Sequence, residues 1–148
     1  MEHNYDVVRI NSDKSQGIRV QALVEEICDR FNLHNYFGIF SVVADEIMNS
    51  ITESLQIDKA SFYADFIFEQ CVGGVSFSFK SNQEVFSSVS EITELLANEY
   101  TIQEEGRNIE LIFYVNGIDE VELKERQDKI KEFFRKKSAI SCVISYGN

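Results

Sequence analysis

The sequence predicts an α+β fold, a two-layer α/β sandwich in which one mixed or antiparallel sheet carries its helices on one face. Three observations lead there. Two early segments repeat apolar residues at steps of three and four, the period of an amphipathic helix. Two Phe-rich runs then alternate with period two on either side of Gly73-Gly74. A second alternating pair turns at Glu105-Gly106.

The elements follow in order. Tyr5, Val7, Val8 and Ile10 predict a short strand, closed by "NSDKSQG". Ser15 is expected to cap a helix from about Ile18 to Phe31, with Val20, Leu23, Val24, Ile27 and Phe31 inward. "NLHN" breaks it. A second helix runs from about Phe37 to Leu55 and buries Phe40, Val43, Ala44, Ile47, Ile51 and Leu55. "SFYADFIFEQC" alternates through Phe62, Ala64, Phe66 and Phe68, and "VSFSFK" through Val75, Phe77 and Phe79. Their Gly pair tolerates the positive φ that a hairpin turn needs.

A third helix turns Val89, Ile92, Leu95 and Leu96 inward. "YTIQEEGRNIELIFYVNG" forms the second hairpin, alternating Ile109, Leu111, Phe113 and Val115. A fourth helix, about Glu120 to Lys136, points Leu123, Ile130, Phe133 and Phe134 inward, and a last strand alternates Ile140, Cys142 and Ile144. No repeat, linker or boundary interrupts this order, so residues 1–148 read as one domain.

Charge and composition restrict function. With 44% hydrophobic and 26% charged residues the chain has a soluble globular composition. Its net charge of −11 repels nucleic acid. The basic cluster at Lys124, Arg126, Lys129, Lys131, Arg135, Lys136 and Lys137 is interleaved with Glu122, Glu125, Asp128 and Glu132, which marks a salt-bridged helix surface. Cys28, Cys71 and Cys142 have neither metal-ligand nor disulfide spacing, and buried reduced thiols are expected. His3 and His34 lack neighbours at ligand spacing, which disfavours a zinc site or a Ser-His-Asp arrangement. The start, "MEHNYDVVRI", has no apolar leader core, and no run reaches the roughly 20 apolar residues of a membrane span. A cytoplasmic location is expected, with no membrane contact.

One motif carries candidate chemistry. In "SVVADEIMNSI", Asp45 and Asn49 stand four residues apart in an apolar frame, so they share one helix face with Ser41 and Thr52. This segment resembles the N-box helix of the GHKL superfamily, the histidine-kinase-like ATPases that include gyrase, MutL and the ninety-kilodalton heat-shock chaperones. The order of elements over about residues 5–115 is similar too, leaving about 116–148 as a C-terminal extension. Within the superfamily the chain looks most like the small anti-sigma-factor serine kinases.

The resemblance implies the histidine-kinase-like ATPase fold, with ATP and Mg2+ as ligands. It places Asp45 as the acid that orients the attacking group and Asn49 as the magnesium ligand. Where the family reads adenine with D-x-G-x-G, this chain has "FKSNQEVF", with Asn82 as the available acceptor. The Gly-rich lid is missing, and the later G-x-G-T pattern is reduced to "GRNIE", which keeps Gly106.

These departures favour a regulatory protein-binding module with reduced or lost ATP binding. Its implied partner is a sigma factor or an anti-anti-sigma-like regulator. The alternative is an active Mg-ATP-dependent serine protein kinase, and a purely structural protein is a third reading. The C-terminal apolar stripe is expected either to close the core or to form a homodimer contact.

Overall fold

Alternation of Phe with smaller residues builds the centre of the sheet. The computed structural model describes the backbone of residues 5–115 and 120–146, and side chains over 7–115 and 120–136. Five strands, β1 (Tyr5–Ile10), β2 (Ala64–Cys71), β3 (Gly74–Ser81), β4 (Glu99–Gln103) and β5 (Asn108–Phe113), pair in the order β1-β2-β3-β5-β4. Every pairing is antiparallel, so of the two expected sheet types the antiparallel one holds. Phe66 lies opposite Phe79 and Phe68 opposite Phe77, which sends the aromatic set to one face. At the β2–β3 turn a Cβ on Gly74 would stand 2.0 Å from the Phe113 carbonyl oxygen, so only glycine lets the neighbouring strand close in.

Among the described residues, four α-helices accompany the sheet: α1 (Gln16–Arg30), α2 (Phe37–Glu53), α3 (Glu91–Leu96) and α4 (Glu120–Tyr146). Helix α1 buries Val20, Leu23, Val24 and Ile27 of the expected stripe, while Phe31 lies one residue past its end and is half-buried. It stops where Asn32 turns left-handed at φ 57 and the Leu33 N–H reaches the Cys28 carbonyl at 2.8 Å, a Schellman stop. Ser15 does not cap α1. Its side chain makes no capping bond, and its own N–H instead donates to the Asp13 carboxylate at 3.0 Å.

Phe40 of α2 joins the layers. It meets Phe77 edge-on at 4.9 Å and Phe113 at 5.1 Å between ring centres, while Phe31 covers Phe68 at 5.5 Å. Ile92 and Leu96 of α3 complete the same core. Outward-phase residues such as Glu69, Lys80 and Glu110 leave the opposite sheet face polar. The result is a two-layer α/β arrangement with an antiparallel five-stranded sheet.

Several expected positions move. Leu55 is 93% exposed, because α2 ends at Glu53, where the Lys59 ammonium donates to the Thr52 carbonyl at 2.8 Å. Leu95 is exposed, since one step from Leu96 turns a side chain about 100° away. Phe134 is likewise exposed, while Leu123, Ile130 and Phe133 pack partly against the core. Among the described side chains of α4, Arg126 is the buried one, beside Tyr36.

The expected last strand is absent: the backbone stays helical from Glu120 to Tyr146. Nothing between Lys136 and Tyr146 breaks a helix, and Ile140 and Ile144 are spaced one helical turn apart as well as on strand alternation. Lys124 with Asp128 and Arg135 with Glu132 form the expected surface ion pairs. Cys28 is buried as expected, but Cys71 is exposed, and the side chain of Cys142 lies outside the described residues. Among the described residues, no helix is long and apolar enough to cross a membrane.

Candidate functional site

The inward phase of α2 is set by Val43, Ala44, Ile47, Met48 and Ile51, all buried. That phase leaves Asp45 and Asn49 on the outer side, one turn apart, as their spacing requires. The two side chains line one open depression, together with Lys14 and Gly17 at the start of α1 and Met48, Thr52 and Glu53 of α2. The wall is held by Gln21 of α1, which sequence reasoning missed. Its amide nitrogen donates to the Ser41 carbonyl at 2.8 Å and to Asp45 Oδ1 at 3.1 Å, and its oxygen accepts from the Ser41 hydroxyl at 2.6 Å. No local pattern marks Gln21, because its partners lie twenty or more residues away.

Asn82 and Gly106 do not line this depression. Both ends of the Asn82 carboxamide bond elsewhere: its oxygen accepts from the Tyr63 N–H at 2.9 Å, and its nitrogen donates to the Ser61 carbonyl at 2.8 Å. Gln83 ties down the same loop, accepting from the Asp58 N–H at 2.7 Å and donating to the Asp58 carbonyl at 2.9 Å. Gly106 is buried with φ +93, and a Cβ there would approach the Phe86 carbonyl oxygen to 3.0 Å. Its own carbonyl accepts from the Val85 N–H at 3.1 Å and the Phe86 N–H at 2.8 Å. Gly106 therefore holds a chain crossing together.

That crossing drives Phe86 into the core. Its side chain is 2% exposed and lies 6.2 Å from the Phe79 ring. The segment between β3 and α3, where the resemblance expects an adenine contact and a lid, is anchored in the core by Phe86, while its neighbours Val85, Ser87 and Ser88 line an open depression with Ser50 and Glu53 of α2. The Val85-Phe86 pair inside an otherwise polar loop was the available signal for it.

The residues present fit a magnesium nucleotide poorly. Asp45 and Asn49 offer one carboxylate and one carboxamide as hard oxygen ligands, and magnesium is commonly held by few protein ligands plus phosphates. No described cluster of three or more His, Cys, Asp or Glu adds to them. On the resemblance, the base would need an acceptor in the segment after β3, where Phe86 is buried and both ends of the Asn82 carboxamide already bond to backbone. What remains open is an acidic, hydrogen-bonding surface suited to a cationic or polar partner.

Neither a comparison with models of known protein families nor one with curated proteins returned a match.

Proposed function

We propose that the chain is a regulatory protein-binding module of the histidine-kinase-like ATPase fold, resembling an anti-sigma factor, with reduced or lost ATP binding. Support for the fold assignment comes from the order strand, helix, helix, hairpin, helix, hairpin, with Asp45 and Asn49 on the outer side of the second helix. Loss of nucleotide binding rests on one observation, the Phe86 side chain seated in the core where the adenine-binding segment would stand open. A fold does not by itself carry a function, so the nucleotide must be tested directly.

The test is a thermal shift with millimolar magnesium-ATP. A ligand at about 100 times its dissociation constant stabilises the native state by roughly 2.7 kcal/mol. For a chain of this size that raises the melting temperature by about 5–10 °C. The expected result is little or no shift. A clear shift that disappears in Asn49→Ala would overturn the proposal in favour of the active serine kinase. One observation favours that second reading: Asp45 and Asn49 do share an open depression, and the Asn49 carboxamide makes no hydrogen bond to the described residues.

A further inference from the structure

We infer that the trough between α1 and α2 is the docking site for a basic amphipathic helix of a protein partner. This rests on the protein-binding function proposed above and names its surface and the class of its partner. Three open depressions run into one another along the pair of helices. One of about 490 Å³ shares Lys14, Gly17 and Asp45 with the Asn49 depression, and it shares Glu25 and Phe37 with another of about 450 Å³. From Gln16 to Asp29, α1 extends roughly 20 Å, room for between three and four turns of a docked helix.

The lining has two characters. Ile18 is 76% exposed and Phe37 is 37% exposed, with Ala22 between them, so apolar surface faces water within the trough. Around it stand Glu25, Asp29, Asp45 and Glu53 against the single ammonium of Lys14. Asp29 lies 3.4 Å from His34, whereas Glu25 and Glu53 have no ion-pair partner among the described residues.

Charge complementarity selects the occupant. An apolar strip rimmed by carboxylates, of which Glu25 and Glu53 have no ion-pair partner among the described residues, repels phosphate-bearing nucleic acid and anionic lipid, and the net charge of −11 adds to both. A helix with apolar residues at i, i+3, i+4 and i+7, flanked by Lys or Arg, satisfies strip and rim together. The surface is built to receive it. Gln21 clamps α1 to α2 through Ser41 and Asp45, so the trough is preformed and loses little entropy on binding.

The probe is a fluorescein-labelled peptide of Leu and Lys, about 16 residues long, patterned as an amphipathic helix. A scrambled peptide of the same composition is the control. Anisotropy titrations against the intact chain should show binding of the patterned peptide at least about tenfold tighter than of the scrambled one. Ile18→Asp and Glu25→Lys should each weaken it by about tenfold, because one buries a charge in the strip and the other reverses the rim. Both residues are exposed, so the variants should fold, and circular dichroism is the check on that.

Glu69→Lys, on the open sheet face, makes the same change in net charge and should alter binding by less than about twofold. Equal weakening by Glu69→Lys and Glu25→Lys would reduce the effect to net charge and overturn the proposal. So would indifference to Ile18→Asp, or equal binding of the scrambled peptide. None of these variants touches Asn49 or Phe86, so the magnesium-ATP measurement decides the loss of nucleotide binding separately.

Discussion

Truncating Phe86 to alanine tests whether the β3–α3 segment is a plug or a lid. The ring is 2% exposed, faces Phe79 and belongs to the same core as the sheet aromatics. Removing a buried Phe side chain costs about 3–5 kcal/mol, with the lower end expected where the surroundings collapse into the space. Here the backbone is pinned, since the Val85 and Phe86 N–H groups both donate to the Gly106 carbonyl and are untouched by the substitution. Collapse is limited, so a loss of about 3–4 kcal/mol is expected. At about 2–4 °C per kcal/mol for a chain near 150 residues, the melting temperature falls by roughly 6–16 °C. Urea unfolding followed by far-ultraviolet circular dichroism gives the free energy, with an unchanged denaturant slope showing that both states keep their compactness. A loss under about 1 kcal/mol would refute the reasoning. Phe86 would then be a peripheral contact, and the case against a nucleotide beside β3 would lose its foundation.

Two further predictions concern titrating groups. The Arg9 guanidinium donates to Asp65 at 2.8 and 3.1 Å and holds its carboxyl below the ordinary value of 3.8. A folded value below the unfolded one means that the stabilisation is complete above the unfolded value and is lost as pH falls through the folded one. The stability difference between the parent and Asp65→Asn, read from urea midpoints, should therefore narrow below about pH 4 and stay constant between about pH 5 and 7. A difference independent of pH would assign the effect to packing of Arg9 on Tyr63, whose ring lies 4.2 Å from the guanidinium carbon.

The second concerns thiols. Burial pushes the Cys28 thiol up to about 11, with Asp29 adding to it, while Cys71 is exposed at the β2–β3 turn. In a Cys142→Ser background at neutral pH, a thiol-specific disulfide reagent should modify Cys71, although partial burial and Glu110 hold its thiol up as well, faster than Cys28, which should react only on unfolding. Rapid modification of both in the native protein would show that α1 opens at its C-terminal half.

The sheet was legible because its signals were local and redundant. Phe66, Phe68, Phe77 and Phe79 alternate strictly, and a one-residue slip of either strand would turn its aromatics to water. The hairpin turns coincided with glycines. Helix ends were less legible. Apolar character at Leu55 says nothing of where the chain leaves the helix, and that was settled by a long-range contact, Lys59 to the Thr52 carbonyl. Alternation at Ile140, Cys142 and Ile144 misled for another reason. Apolar residues four apart satisfy helix and strand alike, and in a segment without a breaker the helix already under way continues.

The site was half legible, and the missing half is physically distinct from the part that was read. Spacing alone put Asp45 and Asn49 on one face, because helical geometry fixes that relation without regard to the rest of the chain. What stands opposite that face depends on how α1 packs against α2, and only the fold brings Gln21 and Lys14 there. The same limit applied to Asn82 and Gly106. Each was assigned from a motif position, and each is held by partners that no motif names, Tyr63 and Ser61 for one and Val85 and Phe86 for the other. An acceptor already bonded to backbone gains little by exchanging that partner for a ligand amine, since the released N–H is left to find another acceptor. Where the chain satisfies its own polar groups, as beside β3, ligand binding is disfavoured. Where a carboxylate such as Glu25 stands beside exposed apolar surface with no ion-pair partner among the described residues, as between α1 and α2, binding has something to gain.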